Sequence, residues 1–171
     1  MMSLIFGGAG SGKSAFAERL TGTWTWPRLY LATMIPRDEE SRARIDRHRQ
    51  MRADKGFKTL ERYRDLPGAE IPKGANVLLE DLSNLLANEM FDRDGGGAAA
   101  VWRGLQYLEE QTGHLIIVSN DVFSGGAGYQ GETLTFLREL ACLHRHLAAR
   151  ADLVAEVVCG RADLLKGAAV W

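Results

Sequence analysis

Short apolar runs alternate along the chain with segments in which apolar residues recur at helical spacing. The apolar runs have the length of strands and several are rich in Val, Ile and Leu; they cover residues 2–6, 28–33, 76–80, 114–119 and 152–158. Helical spacing covers residues 13–20, 38–52, 81–91, 98–111 and 132–150. Short additional strands are predicted at residues 57–61 and 164–166. This alternation predicts an α/β fold with a largely parallel central sheet.

Composition narrows the class of protein. The 171 residues are 46% hydrophobic and 25% charged, with no linker-like stretch and no internal repeat, which predicts one globular domain over residues 1–171. A formal net charge of −1 gives no general attraction to nucleic acid or anionic lipid, so neither is expected as a partner. No apolar run approaches the roughly 20 residues of a membrane span. The two cysteines, Cys142 and Cys159, lack metal-site spacing, and a reducing cytoplasm is the expected location.

A glycine-rich loop between the first predicted strand and the first predicted helix is the most specific signal in the chain. It matches the pattern G-x-x-x-x-G-K-[ST] and consists of Gly7, Gly8, Ala9, Gly10, Ser11, Gly12, Lys13 and Ser14. The glycines allow successive backbone N–H groups to face a phosphate, and the helix N-terminus adds the positive end of its dipole. We expect Lys13 to reach the terminal phosphates of ATP or GTP and the Ser14 hydroxyl to ligate Mg²⁺. The motif predicts a P-loop nucleotide-binding domain.

A carboxylate at the end of a neighbouring strand completes the metal site of such a domain. One apolar strand ends in Glu80 and Asp81, and another is followed by Asp121. We favour Glu80 or Asp81 as the group that contributes to the metal or substrate site. Asp81 has an alternative role, because Asp is preferred at the N-cap of a helix and a helix is predicted to follow.

The predicted helix over residues 38–52 begins with acids and then becomes basic, which suits the helix dipole. Arg44, His48 and Arg52 are spaced i, i+4 and i+8 and therefore share one face. Guanidinium groups beside an imidazole disfavour its protonation, which keeps the ring nucleophilic, and Arg44, Arg47 and Arg52 are candidate phosphate clamps. From the spacing alone, however, an exposed histidine on a solvated helix is the favoured interpretation over a histidine nucleophile for nucleotidyl transfer.

Several motifs together are similar to the adenosylcobinamide kinase / adenosylcobinamide-phosphate guanylyltransferase family of cobalamin biosynthesis, over nearly the whole chain. The matching pieces are residues 7–14, Leu29-Tyr30-Leu31-Ala32-Thr33, Ala43-Arg44-Ile45 with His48, Leu78-Leu79-Glu80, residues 88–91, Val118-Ser119-Asn120-Asp121-Val122, residues 147–152, and Val157-Val158-Cys159-Gly160 with Leu165-Lys166. Many proteins share the phosphate loop. The Tyr-Leu-Ala-Thr strand, the Arg-Ile-x-x-His helix and the Ser-Asn-Asp-Val turn are more discriminating when they occur together.

The resemblance implies a RecA-like P-loop fold and two reactions at one site. In the family, the aminopropanol hydroxyl of adenosylcobinamide is phosphorylated, and GMP from GTP is then transferred to that phosphate with release of pyrophosphate. The second reaction passes through a guanylylated histidine, and the matching position is His48, so the resemblance reverses the preference drawn from spacing. It also implies a homo-oligomer, often a trimer.

The chain departs from the family pattern at several positions. Gly10 stands where the family usually has Arg, and Ala53 and Phe57 stand where it tends to have Pro and Trp. Most other departures follow residue 120, including a turn with a shorter acid and no proline, and His144-Arg145 in place of Asn-Gln. Two alternatives to the bifunctional enzyme therefore stay open: a small-molecule kinase with a single activity, and a non-catalytic protein that binds ATP or GTP.

Overall fold

A computed structural model describes residues 1–168, with the exceptions of Trp26, Ser124, Gly126 and Ala127. For Arg44, Met51, Arg52 and Ala53 it describes the backbone alone. The described residues therefore exclude the side chains of Arg44 and Arg52, whose predicted roles lie outside the structure. They also exclude the side chain of Ala53 and part of the altered turn after residue 120.

The strands and helices follow one another in the order that the hydrophobic pattern predicts. The strands are β1 (Met2–Gly7), β2 (Arg28–Ala32), β3 (Lys58–Glu61), β4 (Ala75–Leu79), β5 (Thr112–Asn120), β6 (Leu153–Val158) and β7 (Arg161–Lys166). The helices are α1 (Lys13–Leu20), α2 (Glu39–Arg52), α3 (Leu82–Phe91), α4 (Gly97–Gln111) and α5 (Gly131–Arg150). Single turns of 3₁₀ helix cover Thr21–Thr23, Ala53–Lys55 and Leu66–Gly68. Both short additional strands are confirmed, although β7 begins three residues before its predicted start.

The strands form one sheet in the order β3-β2-β4-β5-β1-β6-β7. Each neighbouring pair is parallel except β6 and β7, which form an antiparallel hairpin. The hairpin turn places Cys159 at φ 50° and Gly160 at φ 78°, the left-handed conformation of both central residues in a type I′ turn. The largely parallel sheet, with the phosphate loop joining β1 to α1, confirms the predicted RecA-like α/β fold class.

Helices cover both faces of the central strands. Because successive side chains of a strand point to opposite faces, neighbouring residues of these strands are buried against different helices. On one face, α3, α4 and α5 pack against strand residues such as Leu4 and Leu31. On the other face, α1 packs against their neighbours Ile5 and Tyr30. Because helices cover both faces, the polar groups collect in the loops at the carboxyl ends of the parallel strands. There the ends of β1, β5 and β4 lie side by side. No helix in the described part of the chain is both long and apolar enough to cross a bilayer.

The phosphate loop is braced by the hairpin at the far end of the sequence. The Gly160 N–H donates to the Ser11 carbonyl at 2.8 Å, across 149 positions of the chain. Gly12 adopts φ 92°, and a Cβ there would lie 3.1 Å from Gly160 Cα. A Cβ on Gly7 would lie 2.3 Å from the Val157 carbonyl oxygen of β6, closer than packed atoms approach. The loop therefore requires glycine at these two positions so that β6 and the turn after it can pack against the loop.

Substituting Gly7→Ala is expected to lower the free energy of unfolding by about 1–3 kcal/mol, because the new methyl group collides with the backbone of β6. Gly8→Ala is the matched control, since a Cβ on Gly8 meets nothing within 4 Å. That variant should stay within about 0.5 kcal/mol of the wild type. Urea unfolding without nucleotide measures both variants, and equal losses of stability would contradict the proposed contact.

Candidate functional site

The phosphate loop has the hydrogen bonds of a preformed turn. The Ser11 N–H donates to the Gly8 carbonyl at 3.2 Å, and the buried Lys13 ammonium donates to the same carbonyl at 3.1 Å. Lys13 and Ser14 lie in the first turn of α1, where the backbone N–H groups have no partner within the helix. The Ser11 hydroxyl is buried, and none of the described residues gives it a hydrogen bond. The amide N–H groups at the start of α1 and the Lys13 ammonium thus belong to one loop, and groups of these kinds hold a phosphate in the hollow of such a loop.

Asp81 joins β4, α3 and β5 through its carboxylate. Its Oδ1 accepts hydrogen bonds from the Ser83 N–H at 2.9 Å, the Ser83 hydroxyl at 2.6 Å and the Asn84 N–H at 3.2 Å. Its Oδ2 accepts from the side-chain amides of Asn84 at 3.1 Å and Asn120 at 2.6 Å. Asp81 is therefore the N-cap of α3, the alternative role that the sequence left open, and it also binds the end of β5.

The electrostatic surroundings of Asp81 connect it to the phosphate loop. The pKa of the Asp81 carboxyl is raised above its usual value, because the effect of burial exceeds that of the hydrogen bonds from Ser83 and Asn84, which lower the pKa. Among the neighbouring charges, Glu80 also raises this pKa and the Lys13 ammonium lowers it. The influence of Lys13 means that the loop and the end of β4 share one electrostatic environment. Five donors already surround the Asp81 oxygens, whereas the described contacts of Glu80 are fewer.

His48 of α2 faces the end of β4. Its Nδ1 lies 3.1 Å from Oε1 of Glu80, and the His48 and Glu80 side chains are 18% and 5% exposed. The contact is that of an imidazole N–H donating to a buried carboxylate, which fixes the ring's orientation. His48 is thus paired with a carboxylate, a partner that the arginine spacing of α2 does not predict. The side chains of Arg44 and Arg52 are outside the described residues, and Arg47 is exposed.

A cavity of about 240 Å³ opens beside His48. We call it the His48 cavity, and it is lined by Ala32, Met34, Pro36, Arg42, Ile45, Asp46, His48, Arg49, Glu61, Tyr63 and Glu80. Sequence reasoning missed Arg42, Arg49 and Glu61 as site residues. The spacing of Arg42, Ile45 and Arg49 at i, i+3 and i+7 is the signal that would have placed them on one face of α2.

The remaining predicted positions lie around these groups. The Asp121 backbone N–H donates to the Gly7 carbonyl at 2.8 Å, so the residue after β5 is joined to the phosphate loop. Gly10 is exposed at the tip of the loop with φ 69°. Phe57 packs edge-on against Tyr30, with ring centroids 5.8 Å apart.

The comparison with known protein families identifies the chain. The family described as cobinamide kinase / cobinamide phosphate guanyltransferase (CobU) matches residues 3–165. The chain belongs to this family.

Curated relatives carry the corresponding names. The bifunctional adenosylcobalamin biosynthesis protein CobP of Pseudomonas aeruginosa is 33% identical over 174 residues, covering 98% of both chains. CobU of Salmonella typhimurium is 30% identical, covering 94% of this chain and 97% of its own. CobU of Escherichia coli is 40% identical over a shorter alignment of 105 residues, which covers 60% of this chain and 57% of the relative. This is a family of enzymes: its description combines a kinase and a guanyltransferase activity, and the names of these relatives call them bifunctional.

A solved structure of the P4 protein from bacteriophage phi6 in complex with ADP is a distant match. It covers 95% of this chain and 52% of its own, with 13% sequence identity and a TM-score of 0.44. Similarity at this level carries no inference about the present site.

One departure from the CobU-family pattern, His144, lies close to the phosphate-loop strand. Its Nε2 is 2.7 Å from the hydroxyl of the fully buried Ser119 near the end of β5, and its ring packs against Phe6 and Phe123. Burial lowers the pKa of His144 from its usual 6.5, an effect that the charge of Asp121 partly opposes. The neutral ring is therefore the form that this position favours.

The stability of the protein should depend on pH through His144. Because the folded pKa lies below 6.5, the unfolded chain binds more protons between the two values. The contribution of neutral His144 is complete above pH 6.5 and is lost as the pH falls through 6.5 toward the folded value. The slope from this one group is at most about 1.4 kcal/mol per pH unit.

Unfolding in urea at a series of pH values between about 5 and 8 measures this effect against a His144→Gln variant, whose amide retains a partner for Ser119. The wild type should lose more stability than the variant on acidification. An equal loss of unfolding free energy on acidification in the two proteins would show that protonation of His144 does not contribute to the pH dependence of stability.

Proposed function

We propose that this chain catalyses both reactions of its family: phosphorylation of adenosylcobinamide, and transfer of GMP from GTP to the resulting phosphate through a guanylylated His48. The observation that carries the proposal is the 3.1 Å contact between His48 Nδ1 and Glu80 Oε1, at the same sheet edge as the phosphate loop. An exposed histidine on a solvated helix would not have a buried carboxylate as its partner. We further propose that the enzyme acts in the cytoplasm as a homo-oligomer, a trimer by resemblance to its family.

In the kinase reaction, the phosphate loop binds the triphosphate of ATP or GTP. Gly7, Gly8, Ala9, Gly10, Ser11 and Gly12 supply the backbone of the hollow, and Lys13 neutralises charge on the phosphoryl group that is transferred. The substrate hydroxyl attacks the γ-phosphorus, the bond to the β-phosphate oxygen breaks, and the nucleoside diphosphate leaves. The proton of the hydroxyl leaves with the departing phosphates or passes to water.

Mg²⁺ suits the oxygen groups beside this hollow. The Ser14 hydroxyl and the carboxylates of Glu80 and Asp81 are hard oxygen donors, the type that Mg²⁺ prefers. No group of three or more His, Cys, Asp or Glu side chains able to hold a metal occurs in the described parts of the chain. That finding agrees with an ion that is held largely by substrate phosphates and water, with one or two protein ligands. When bound, the ion would neutralise charge on the phosphates; Ser14 with Glu80 or Asp81 would hold it.

In the guanylyl reaction, Glu80 determines which nitrogen of His48 reacts. A carboxylate accepts hydrogen bonds, so Nδ1 carries the proton and Nε2 keeps its lone pair. Nε2 attacks the α-phosphorus of GTP, the Pα–O bond to the β-phosphate breaks, and pyrophosphate leaves with that bond's electron pair. The positive charge that develops on the imidazole is stabilised by the Glu80 carboxylate. The phosphate of the corrinoid then attacks the same phosphorus and releases neutral His48. Arg44, Arg47 and Arg52 remain candidate clamps for these phosphates.

Incubation of the protein with GTP and Mg²⁺ should add one GMP to His48, detected by intact-mass measurement and peptide mapping under conditions that preserve a phosphoramidate bond. His48→Ala should abolish the adduct, and His146→Ala, an exposed histidine on α5, should retain it. Label that survives in His48→Ala would contradict the assignment. Phosphorylation of adenosylcobinamide without pyrophosphate release would identify a kinase with one activity, and nucleotide binding without turnover would identify a non-catalytic member.

Glu80→Gln is expected to slow the single-turnover formation of the His48 adduct by about 10- to 150-fold, the loss of one hydrogen bond to a charged group. The amide cannot balance the charge that develops on the imidazole, although it fills the same space. Quenched-flow measurement at saturating GTP separates this effect from weaker binding. Glu70→Gln, at an exposed position, is the control. An unchanged rate in Glu80→Gln would exclude the positioning role of Glu80.

A further inference from the structure

The helix that carries His48 has little apolar surface with which to pack. Among the side chains of α2 that the structure describes, none is buried. Two of its contacts with the sheet are polar pairs: His48 lies against Glu80 after β4, and Arg49 donates to Glu61 at the end of β3. Apolar burial therefore contributes little to the position of α2, and individual polar contacts determine where it lies.

A buried carboxylate on the phosphate-loop helix binds the chain just after α2. Glu18 lies in α1, five positions after Lys13, and its side chain is 3% exposed. Oε2 of Glu18 accepts a hydrogen bond from the ammonium of Lys55, in the 3₁₀ turn that follows α2. Phe57, two residues further on, packs edge-on against Tyr30 on the face of the sheet that α1 covers. The C-terminal end of α2 is thus joined to α1 as well as to the strand ends.

The burial of Glu18 explains why this carboxylate needs a cation. A carboxylate that has been removed from water is stable only when it is paired or hydrogen-bonded. Lys55 is the one partner that the described residues give to the Glu18 carboxylate. Because the Glu18 side chain is buried, the pair holds a fixed place on α1, which a pair between two fully exposed side chains would not.

We propose that Glu18 and Lys55 are positioning residues for guanylyl transfer: their pair fixes the end of α2 against α1 and thereby sets the distance between His48 and the α-phosphorus of GTP. This inference rests on the proposed function of His48. Lys55 follows His48 by seven residues, or about two helical turns, so a shift of the turn displaces the imidazole as well. The other end of the pair belongs to the helix that begins with Lys13 and Ser14, which are proposed to act on the triphosphate and its Mg²⁺.

The two reactions of the proposed function depend on this pair to different degrees. Guanylyl transfer needs the imidazole and the phosphate loop in one geometry, and a nucleophile misplaced by about 1 Å can cost about 100-fold in rate. The kinase reaction uses the phosphate loop without His48. Loss of the pair should therefore slow the first reaction and spare the second.

The test measures both reactions in the whole protein. Lys55→Met removes the ammonium and keeps most of the side-chain length. It should slow single-turnover formation of the His48 adduct at saturating GTP by about 10- to 100-fold. Phosphorylation of adenosylcobinamide and the Kd for α,β-methylene GTP should stay within about twofold of the wild type, because neither involves His48 chemistry. Rates are expressed per protein that binds the analogue, so partial loss of folded protein cancels.

Three further variants separate the contact from a general effect of mutation. Lys55→Arg keeps the positive charge and should restore adduct formation to within about threefold of the wild type. Lys58→Met, which removes an exposed lysine of β3, is the matched control and should leave the rate unchanged. Glu18→Gln should slow adduct formation as Lys55→Met does. The double variant should be no slower than either single variant, because both residues act through one contact.

An unchanged adduct rate in Lys55→Met, or an equal fall in both reactions, would overturn the inference. A double variant whose slowing is the product of the two single effects would also overturn it, since the residues would then act independently. In each of these cases adduct formation by the wild type still supports the proposed function. Absence of the adduct in the wild type would instead refute the function of His48 and, with it, this inference.

Discussion

The buried carboxylate of Asp81 is the interaction on which the geometry of the sheet edge depends. It caps α3 through Ser83 and Asn84 and binds Asn120 at the end of β5. β5 separates β4 from β1, so this contact sets the position of the acidic end of β4 relative to the strand that carries the phosphate loop. Removing a buried carboxylate with five donors would leave several polar groups unsatisfied, each at a cost of about 1–3 kcal/mol. Glu80 is held by the same backbone and is therefore directed toward α2.

The proposed chemistry uses the sheet edge as a line of groups rather than a single point. The phosphate loop follows β1, the His48–Glu80 pair lies at the end of β4, and the His48 cavity extends to β3. An elongated triphosphate suits this arrangement, because the β-phosphate separates its γ-phosphate from its α-phosphate. One site can then direct a hydroxyl to the γ-phosphorus in one reaction and an imidazole to the α-phosphorus in another.

The features that were predictable from the sequence are those that depend on nearby residues. Helices and strands, the phosphate loop and the capping role of Asp81 follow from local spacing and residue type. The early start of β7 was missed because its turn places Cys159 at φ 50°, which non-glycine residues seldom adopt. The pairings of His48 with Glu80 and of Arg49 with Glu61 depend on the strand order. That order is set by the packing of the whole sheet, and the spacing of α2 alone indicated arginines rather than carboxylates as the neighbours of His48.

The hydrogen bond from Gly160 to Ser11 makes the phosphate loop depend on a part of the chain that is synthesised much later. The phosphate loop is synthesised first, but the hairpin that braces it is synthesised last of the sheet elements. On a ribosome that adds about 5–20 residues per second, the loop emerges many seconds before its brace. The loop can therefore adopt its braced geometry only after β6 and β7 have been synthesised and have joined β1.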